Sequence, residues 1–369
     1  MGHWRSHRIQ RGGDSRAEPR AAYGARHMSK VLDETRQRPR VALPSAWFSA
    51  QFWLRGGAVL AFALVAAVFA ASSPLFLSIA NLANVLQQSV VVGILGFGLT
   101  AVLIGGGADP IKGGLDLSIA ANMGCCAAVY AVSLRDGLPE STALVLTLAA
   151  GAAIGALNAF AVIALGIFPL LATLTTMNIA AGLELVLTQN TSVPVTSPLM
   201  TFLLDSGPFD VPHLAYALVA VALLFTLLIH YTAFGLRLRA TGAHRDAARA
   251  AGIRTDRYVA SSYVVSGLSA ALAALASSAL LSGSSPGAGE NLLAVIAAAL
   301  LGVVFSRRLV PTIPGTLLAV LFVGLVNNGF QLDNLSSYWV NGVEGALILF
   351  VVATTAVIRR RHTGNHAND

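Results

Sequence analysis

Apolar residues recur in long, nearly uninterrupted runs between residues 54 and 358 of the 369-residue chain. Many of these runs are about twenty residues long, the length of α-helix that crosses the apolar core of a bilayer, whereas barrel strands are shorter and alternate. The pattern therefore predicts an all-α integral membrane protein with about ten transmembrane helices. The predicted spans are 54–72, 85–106, 115–133, 142–164, 168–188, 212–231, 259–281, 291–306, 312–330 and 340–358.

A basic segment, residues 236–257, is the strongest polar interruption of this pattern. It holds six arginines and two aspartates between two apolar runs, so the positive-inside rule places it in the cytoplasm. Its middle is rich in helix formers, and Gly252 follows where a helix C-terminus would be capped. We interpret residues 242–252 as a short helix held against the inner face. Either this helix is a docking surface, or the arginines only set the topology and touch lipid headgroups.

Composition supports a membrane protein, because 55% of the residues are hydrophobic and only 11% are charged. The net charge of +7 is concentrated in the first forty residues, the basic segment and residues 359–361. Charge placed in this way orients a chain in a lipid bilayer and is poor evidence for a nucleic-acid partner.

The orientation follows from an alternating path that starts in the cytoplasm. Residues 1–49 form a predicted disordered basic cytosolic tail, with Met28 as a candidate start of translation. Residues 50–361 form the transmembrane domain, and residues 362–369 form a C-terminal tail that is also cytosolic. Only one Lys or Arg, Arg135, then lies outside. The predicted outer loops are 134–141, 189–211, 282–290 and 331–339.

A broken or re-entrant region is predicted before the third span. Residues 105–114 contain Pro110 and several glycines, which disfavour a continuous helix. Asp116 follows at the start of the next helix, where it is well placed to cap free N–H groups. Alternatively, the break lies at membrane depth and lines a water-filled cavity, in which case the carboxylate would be functional.

Polar side chains within the spans offer further candidates. Glu184 is the clearest acid, and it either meets water near the outer end or faces the bundle interior. The asparagines are interpreted as hydrogen-bonding partners between helices more readily than as ligand contacts. They are Asn122, Asn158, Asn178, Asn327 and Asn328.

Several kinds of site are not supported by the sequence. Cys125 and Cys126 are adjacent in an apolar run, so they suggest neither a metal site nor a disulfide framework. No phosphate-binding loop, zinc helix or nucleophile elbow is recognisable. We therefore expect no metal or cofactor on this chain, and uphill transport would need an ion gradient or a separate ATPase.

Residues 113–118 read Gly-Gly-Leu-Asp-Leu-Ser, and further recognisable segments lie at 73–87, 169–177, 240–242, 247–253, 314–316 and 326–329. In this order, and along residues 50–358, they resemble the inner-membrane permeases of bacterial ABC sugar importers, the ribose, galactose and xylose group. That family's form of the motif at 113–118 is Gly-Gly-Ile-Asp-Leu-Ser.

The resemblance implies a bacterial inner-membrane subunit that is not itself an enzyme. Its partners would be cytosolic ABC ATPase subunits that bind ATP and Mg²⁺, a periplasmic sugar-binding protein, and a second copy or homologous permease. The solute would be monosaccharide-like. The broken-helix motif would be Gly113, Gly114, Leu115, Asp116, Leu117 and Ser118. The substrate-pathway candidates are Asp116, Ser118, Asn122, Glu184, Asn327 and Asn328. The ATPase-coupling candidates are Gly242, Arg245, Asp246, Ala247, Ala248, Arg249 and Gly252.

Departures from the family pattern touch both the pathway and the cytosolic face. Residues 108–112 resemble an insertion, Glu184 stands at a normally apolar place, and residues 303–312 lack the family's glycines. Ala181 replaces a usual arginine, and residues 242–246 replace a Gly-Gly-Asn stretch. These changes argue against ordinary ribose-type specificity and are compatible with one half of a heterodimer.

Two other functional classes compete with this interpretation. An ion-coupled secondary transporter or channel would use Asp116 or Glu184 to bind a proton or sodium ion. It predicts uptake that needs no ATPase, but it leaves the basic segment unexplained. A membrane-embedded enzyme would need clustered His, Asp or Glu, whereas the spans hold only His230 and scattered single acids.

Overall fold

Helices make up most of the part of the chain that the computed structural model describes. The structure describes residues 60, 62–107, 114–287, 291–306 and 309–334, together with 342, 345, 346 and 349. The predictions for the two tails, for residues 108–112 and for Gly113 lie outside the described residues, as does most of the predicted span 340–358.

The helices follow one another with short connections. They are α1 Phe62–Ser72, α2 Ile79–Gln88, α3 Val90–Gly106, α4 Ile119–Arg135, α5 Glu140–Ala159, α6 Pro169–Thr188, α7 Pro198–Leu204, α8 His213–Thr226, α9 Ala233–Ala243, α10 Arg245–Ala250, α11 Thr255–Leu281, α12 Leu292–Phe305 and α13 Ile313–Leu332. π-helical turns at Phe160–Ala164 and Leu227–Tyr231 extend α5 and α8, and a 3₁₀ turn covers Pro208–Asp210. Strands β1 Val193–Pro194 and β2 Gly283–Ser284 pair in antiparallel register.

Among the described residues, five helices are long and apolar enough to cross a membrane. They are α5 and α8 with their π turns, α6, α11 and α13, and the pair α2–α3 makes a sixth candidate although it is bent by 48°. The shorter apolar helices α1, α4 and α12 occupy three more of the predicted spans. The all-α membrane class is therefore confirmed, while the count of ten spans stays a prediction.

The bend between α2 and α3 corrects the prediction of one span that begins at residue 85. α2 begins at Ile79, where the Ser78 hydroxyl accepts a hydrogen bond from the N–H of Asn81, and the chain turns at Ser89. Asn81 and Asn328 exchange two amide hydrogen bonds of 2.7 and 3.0 Å. This pair holds α2 against α13 and so fixes the direction in which α2 leaves the bend.

The centre of the bundle is α11, which packs against α3, α4 and α5. Small residues allow close approach: a Cβ added to Gly267 of α11 would overlap the carbonyl group of Gly151 in α5. Gly155 meets the backbone of Tyr263 in the same crossing. Glycine at these positions lets the two backbones touch, which is how many membrane helices associate.

This crossing gives a stability prediction with a built-in control. Gly267→Ala should force α5 and α11 apart and cost roughly 1–3 kcal/mol, the usual cost of overpacking. At Gly182 in α6, no described residue lies within 4 Å of an added Cβ, so Gly182→Ala should stabilise the protein by about 0.5–1 kcal/mol because alanine suits a helix better than glycine does. The unfolding temperatures of the two detergent-purified variants should shift in opposite directions from that of the unmodified protein. Equal shifts would contradict the crossing.

Candidate functional site

Asp116 lies in the connection between α3 and α4, where only 1% of its surface is exposed. Its Oδ1 accepts hydrogen bonds from the N–H of Ser118 at 3.1 Å, from the Ser118 hydroxyl at 2.7 Å and from Asn158 Nδ2 at 3.3 Å. Its Oδ2 accepts from the Ser266 hydroxyl at 2.7 Å. We call Asp116, Ser118, Asn158 and Ser266 the Asp116 cluster. It joins the start of α4 to α5 and α11.

This geometry combines parts of both interpretations of Asp116. The bond to the Ser118 N–H is local, as a cap would be, but the bonds to Asn158 and Ser266 cross between helices. Hydrogen bonds to a charged group each contribute about 1.5–3 kcal/mol. The carboxylate is thus a tertiary link as well as a local one, and a role in the solute pathway stays a prediction.

The connection around Asp116 makes further contacts. The Leu115 carbonyl accepts a hydrogen bond of 3.1 Å from the Thr173 hydroxyl, which ties α6 to the break. Gly114 has φ of +130°, a region that favours glycine, and it lies against the hydroxyl of Tyr263. Leu117 is half-buried beside the cluster. The motif is therefore anchored on α6 and α11 as well as on α5.

Two cluster members were missed as site residues by sequence reasoning. Ser266 received no role, and Asn158 was assigned only to helix packing. A signal was available in α11, where Ser262, Ser266 and Ser269 recur at helical spacing within an apolar span and are all buried. A polar stripe of this kind within a membrane helix indicates hydrogen-bonding partners on a neighbouring element.

The predicted pathway asparagines do not join the Asp116 cluster by any hydrogen bond among the described residues. Asn122 donates to the Gly151 carbonyl of α5 at 3.3 Å, and Asn328 pairs with Asn81. Asn327 is half-buried beside it. Asn122 and Asn328 thus act between helices, as the favoured alternative predicted.

Glu184 faces the bundle interior, which decides between its two predicted environments. Only 3% of its surface is exposed, and its carboxylate covers Gly124 of α4, where an added Cβ would lie 2.5 Å from Oε2. The backbone of Gly287 lies beside the carboxylate. Oε1 has no hydrogen-bond partner among the residues that the structure describes.

The basic segment contains a short helix, but the predicted bounds were wrong. Residues 236–243 belong to α9, and α10 covers only Arg245–Ala250 instead of 242–252. His244 interrupts the two helices and caps α10, since its Nδ1 accepts from the Ala247 N–H at 3.3 Å. The predicted C-terminal cap is confirmed. Gly252 has a φ of +81°, and its N–H donates to the Arg249 carbonyl. The N–H of Ile253 donates to the Ala248 carbonyl, which completes the cap.

Two arginines of α10 bind within the chain. Arg245 and Arg249 contact the Asp256 carboxylate at 2.8 and 3.1 Å, and Arg249 also donates to the Thr255 hydroxyl at 3.0 Å. These exposed ion pairs contribute little stability individually, but together they set α10 against the first turn of α11. Ala248 is buried underneath. An open cleft of about 410 Å³ lies beside them, lined by Arg249 and residues 252–257.

The outer surface of α10 is formed by the exposed residues Asp246, Ala247 and Ala250. Gly242, a coupling candidate, lies at the end of α9 and faces inward. A Cβ there would overlap the Ile104 carbonyl, and Gly107 also lies against it. The basic segment therefore rests on the end of α3, next to the break that precedes Asp116.

Comparisons with known proteins agree with the resemblance. The model of the family described as "Branched-chain amino acid transport system / permease component" matches residues 81–352. The ribose import permease protein RbsC of Bacillus subtilis is 31% identical over 76% of this chain and 86% of that protein. RbsC of Escherichia coli strain K12 is 30% identical over 83% of this chain and 95% of its own length. The autoinducer 2 import system permease protein LsrD of Yersinia enterocolitica is 28% identical over 74% of this chain and 82% of that protein. No solved structure matches the chain.

Proposed function

The chain belongs to this family of ABC importer permeases and is a translocation subunit rather than an enzyme, and from that premise we propose that it imports a monosaccharide-like solute by alternating access. A separate cytosolic ATPase would drive the cycle. The names of similar permeases mention ribose and autoinducer 2, and the family description mentions amino acids. The sugar class is supported by the first of these names and by the motif at 113–118.

The observation that supports the proposal most strongly is the construction of α10. It is capped at both ends, bound to α11 through Asp256, and attached through α9 to the end of α3. ATP can shift a permease only through a contact that differs between its states. A partner that moves α10 would move α3 and α11 together, and these helices flank the Asp116 cluster.

The same proposal assigns partners to the two ends of the bundle. The arginines of the basic segment favour a cytosolic position for α10, with both termini inside. ABC ATPase subunits carrying ATP and Mg²⁺ would dock there. A periplasmic binding protein would deliver solute at the end that carries β1 and β2. A second copy, or a homologous permease, would complete the pathway in the inner membrane.

The first test is gentle purification of the tagged full-length protein from its own membranes, followed by mass spectrometry and reconstitution into proteoliposomes. We expect an ABC ATPase to co-purify, and uptake of a panel of labelled sugars to stop with vanadate and to persist when ionophores collapse the ion gradients. Uptake that resists vanadate and fails with the ionophores would support the ion-coupled rival instead.

The two acids on which the ion-coupled rival depends differ in how many hydrogen bonds they accept. Asp116 already accepts four hydrogen bonds, so its carboxylate offers little capacity for an ion. Glu184 has a spare acceptor. The rival would therefore need Glu184, and Glu184→Gln should then abolish gradient-driven uptake.

A further inference from the structure

Two buried carboxylates in the bundle differ in how completely they are hydrogen-bonded. Asp116 accepts from Ser118, Asn158 and Ser266, so both of its oxygens are satisfied inside the chain. Glu184 is buried almost as deeply, yet its Oε1 has no hydrogen-bond partner in the described part of the chain. An unsatisfied acceptor in the interior costs free energy. Glu184 is therefore the acid with capacity left to bind something else.

No cation accompanies this carboxylate in the part of the chain that the structure describes. The ion pairs found there involve Asp136 and Asp256, both at the surface. Moving an ionised carboxylate out of water costs several kcal/mol unless an opposite charge or a proton accompanies it. A cation or a proton from outside the described helices must consequently accompany Glu184.

Two glycines border the niche that holds the Glu184 carboxylate. Gly124 has no side chain, and this absence is what leaves room for the carboxylate over α4. The backbone of Gly287, three residues after β2, lies on another side. In the proposed orientation this niche is in the outer half of the membrane, below the paired β1–β2 connection.

We infer that Glu184 contacts the transported solute directly, and that this solute carries an ammonium group, as an amino sugar does. This inference rests on the proposed import function. A sugar hydroxyl would donate a hydrogen bond to Oε1 but leave the buried charge unmatched. An ammonium group supplies both the hydrogen bond and the charge, and such charge-assisted bonds are about twice as strong as neutral ones. Because the cation enters and leaves with the solute, the niche needs no resident lysine or arginine.

Binding to the full-length protein in lipid nanodiscs, without ATPase or nucleotide, tests this inference. The probes are D-glucosamine and D-galactosamine, with D-glucose and D-galactose as neutral counterparts. We expect Glu184→Gln to weaken amino-sugar binding by about tenfold to a hundredfold, the loss expected for one charged hydrogen bond. Binding of the neutral sugars should change little. Infrared difference spectra should show a carboxylate band that shifts with amino sugars and is missing in Glu184→Gln.

Glu140→Gln is the matched control, because Glu140 is partnered by the Tyr130 hydroxyl and the Leu199 N–H. It should leave probe binding unchanged. Equal responses to charged and neutral sugars, or no response to either amino sugar, would overturn the inference. Because no ATPase takes part in this measurement, a failure here is distinguishable from a failure to find an ATPase partner.

Discussion

Replacing Asp116 with alanine should reduce solute uptake by at least about a hundredfold and also lower the thermal stability of the protein. The substitution strands the hydroxyl groups of Ser118 and Ser266 in the interior. It also removes one of the two acceptors of the Asn158 amide, which keeps its bond to the Ser118 hydroxyl. Leaving buried donors without acceptors costs about 1–3 kcal/mol each. The loss also removes hydrogen bonds that link the start of α4 to α5 and α11, at the level where the basic segment rests on α3. Uptake in reconstituted vesicles and unfolding in detergent are the two measurements.

Graded variants of the same cluster separate its structural and transport roles. Ser266→Ala removes one of the four hydrogen bonds and should cause a smaller loss of both stability and uptake. Asp116→Asn keeps the shape of the side chain but places an amide N–H donor among the donors of the cluster. Its losses of stability and uptake should therefore resemble those of Asp116→Ala. Asn178→Ala is the control, since Asn178 is exposed and bonds only to Leu174 of its own helix. Full uptake by a well-expressed Asp116→Ala protein would contradict the role of the cluster.

Local rules account for the features that the sequence predicted well. Runs of about twenty apolar residues identify membrane helices because the bilayer sets their length. Gly252 was recognised as a helix end because a left-handed residue after a helix favours glycine, and its φ of +81° agrees. Both inferences need only neighbouring residues.

Long-range partners could not be predicted by the same means. Ser266 is 150 residues from Asp116 and Asn328 is 247 residues from Asn81, and nothing local distinguishes them from other buried polar side chains. The bend at Ser89 contains no proline or glycine, so its origin lies in how α2 packs on α13. Geometry of this kind depends on the whole bundle.

The arginines of α10 show how a correct charge pattern can still leave function undecided. Their number predicted either a docking surface for a partner or arginines that only set the membrane topology. In the structure, Arg245 and Arg249 also bind Asp256 of the same chain. Reversing both charges would therefore disturb the attachment of α10 to α11 as well as any partner contact. A test of docking needs a residue that is exposed and makes no side-chain contact within the chain.

Ala247→Glu meets that requirement, and it should uncouple the permease from its ATPase while leaving it folded. Ala247 is exposed on the outer surface of α10, at the third helical position after the His244 cap. Glutamate at this position favours helix formation, since it reaches back toward the cap and complements the helix dipole. Its bulk and charge would nevertheless stand in the proposed contact. We expect vanadate-sensitive uptake to fall by about tenfold or more, an effect of about 1.4 kcal/mol, and less ATPase to co-purify.

Ala233→Glu provides the matched control, because Ala233 is also exposed and also lies in the first turn of a helix, α9, on the same side of the membrane. It should retain uptake, and both variants should unfold at the temperature of the unmodified protein. If Ala247→Glu transported normally with its ATPase bound, α10 would not be the docking surface.

The exchanged pair Arg249→Asp with Asp256→Arg, made in an Arg245→Ala background, isolates the internal role of Arg249. It restores the ion pair between residues 249 and 256 with the charges reversed, and the background removes the second partner of Asp256, Arg245. Recovery of stability without recovery of uptake would show that Arg249 also faces the partner, whereas recovery of both would confine its role to holding α10 in place.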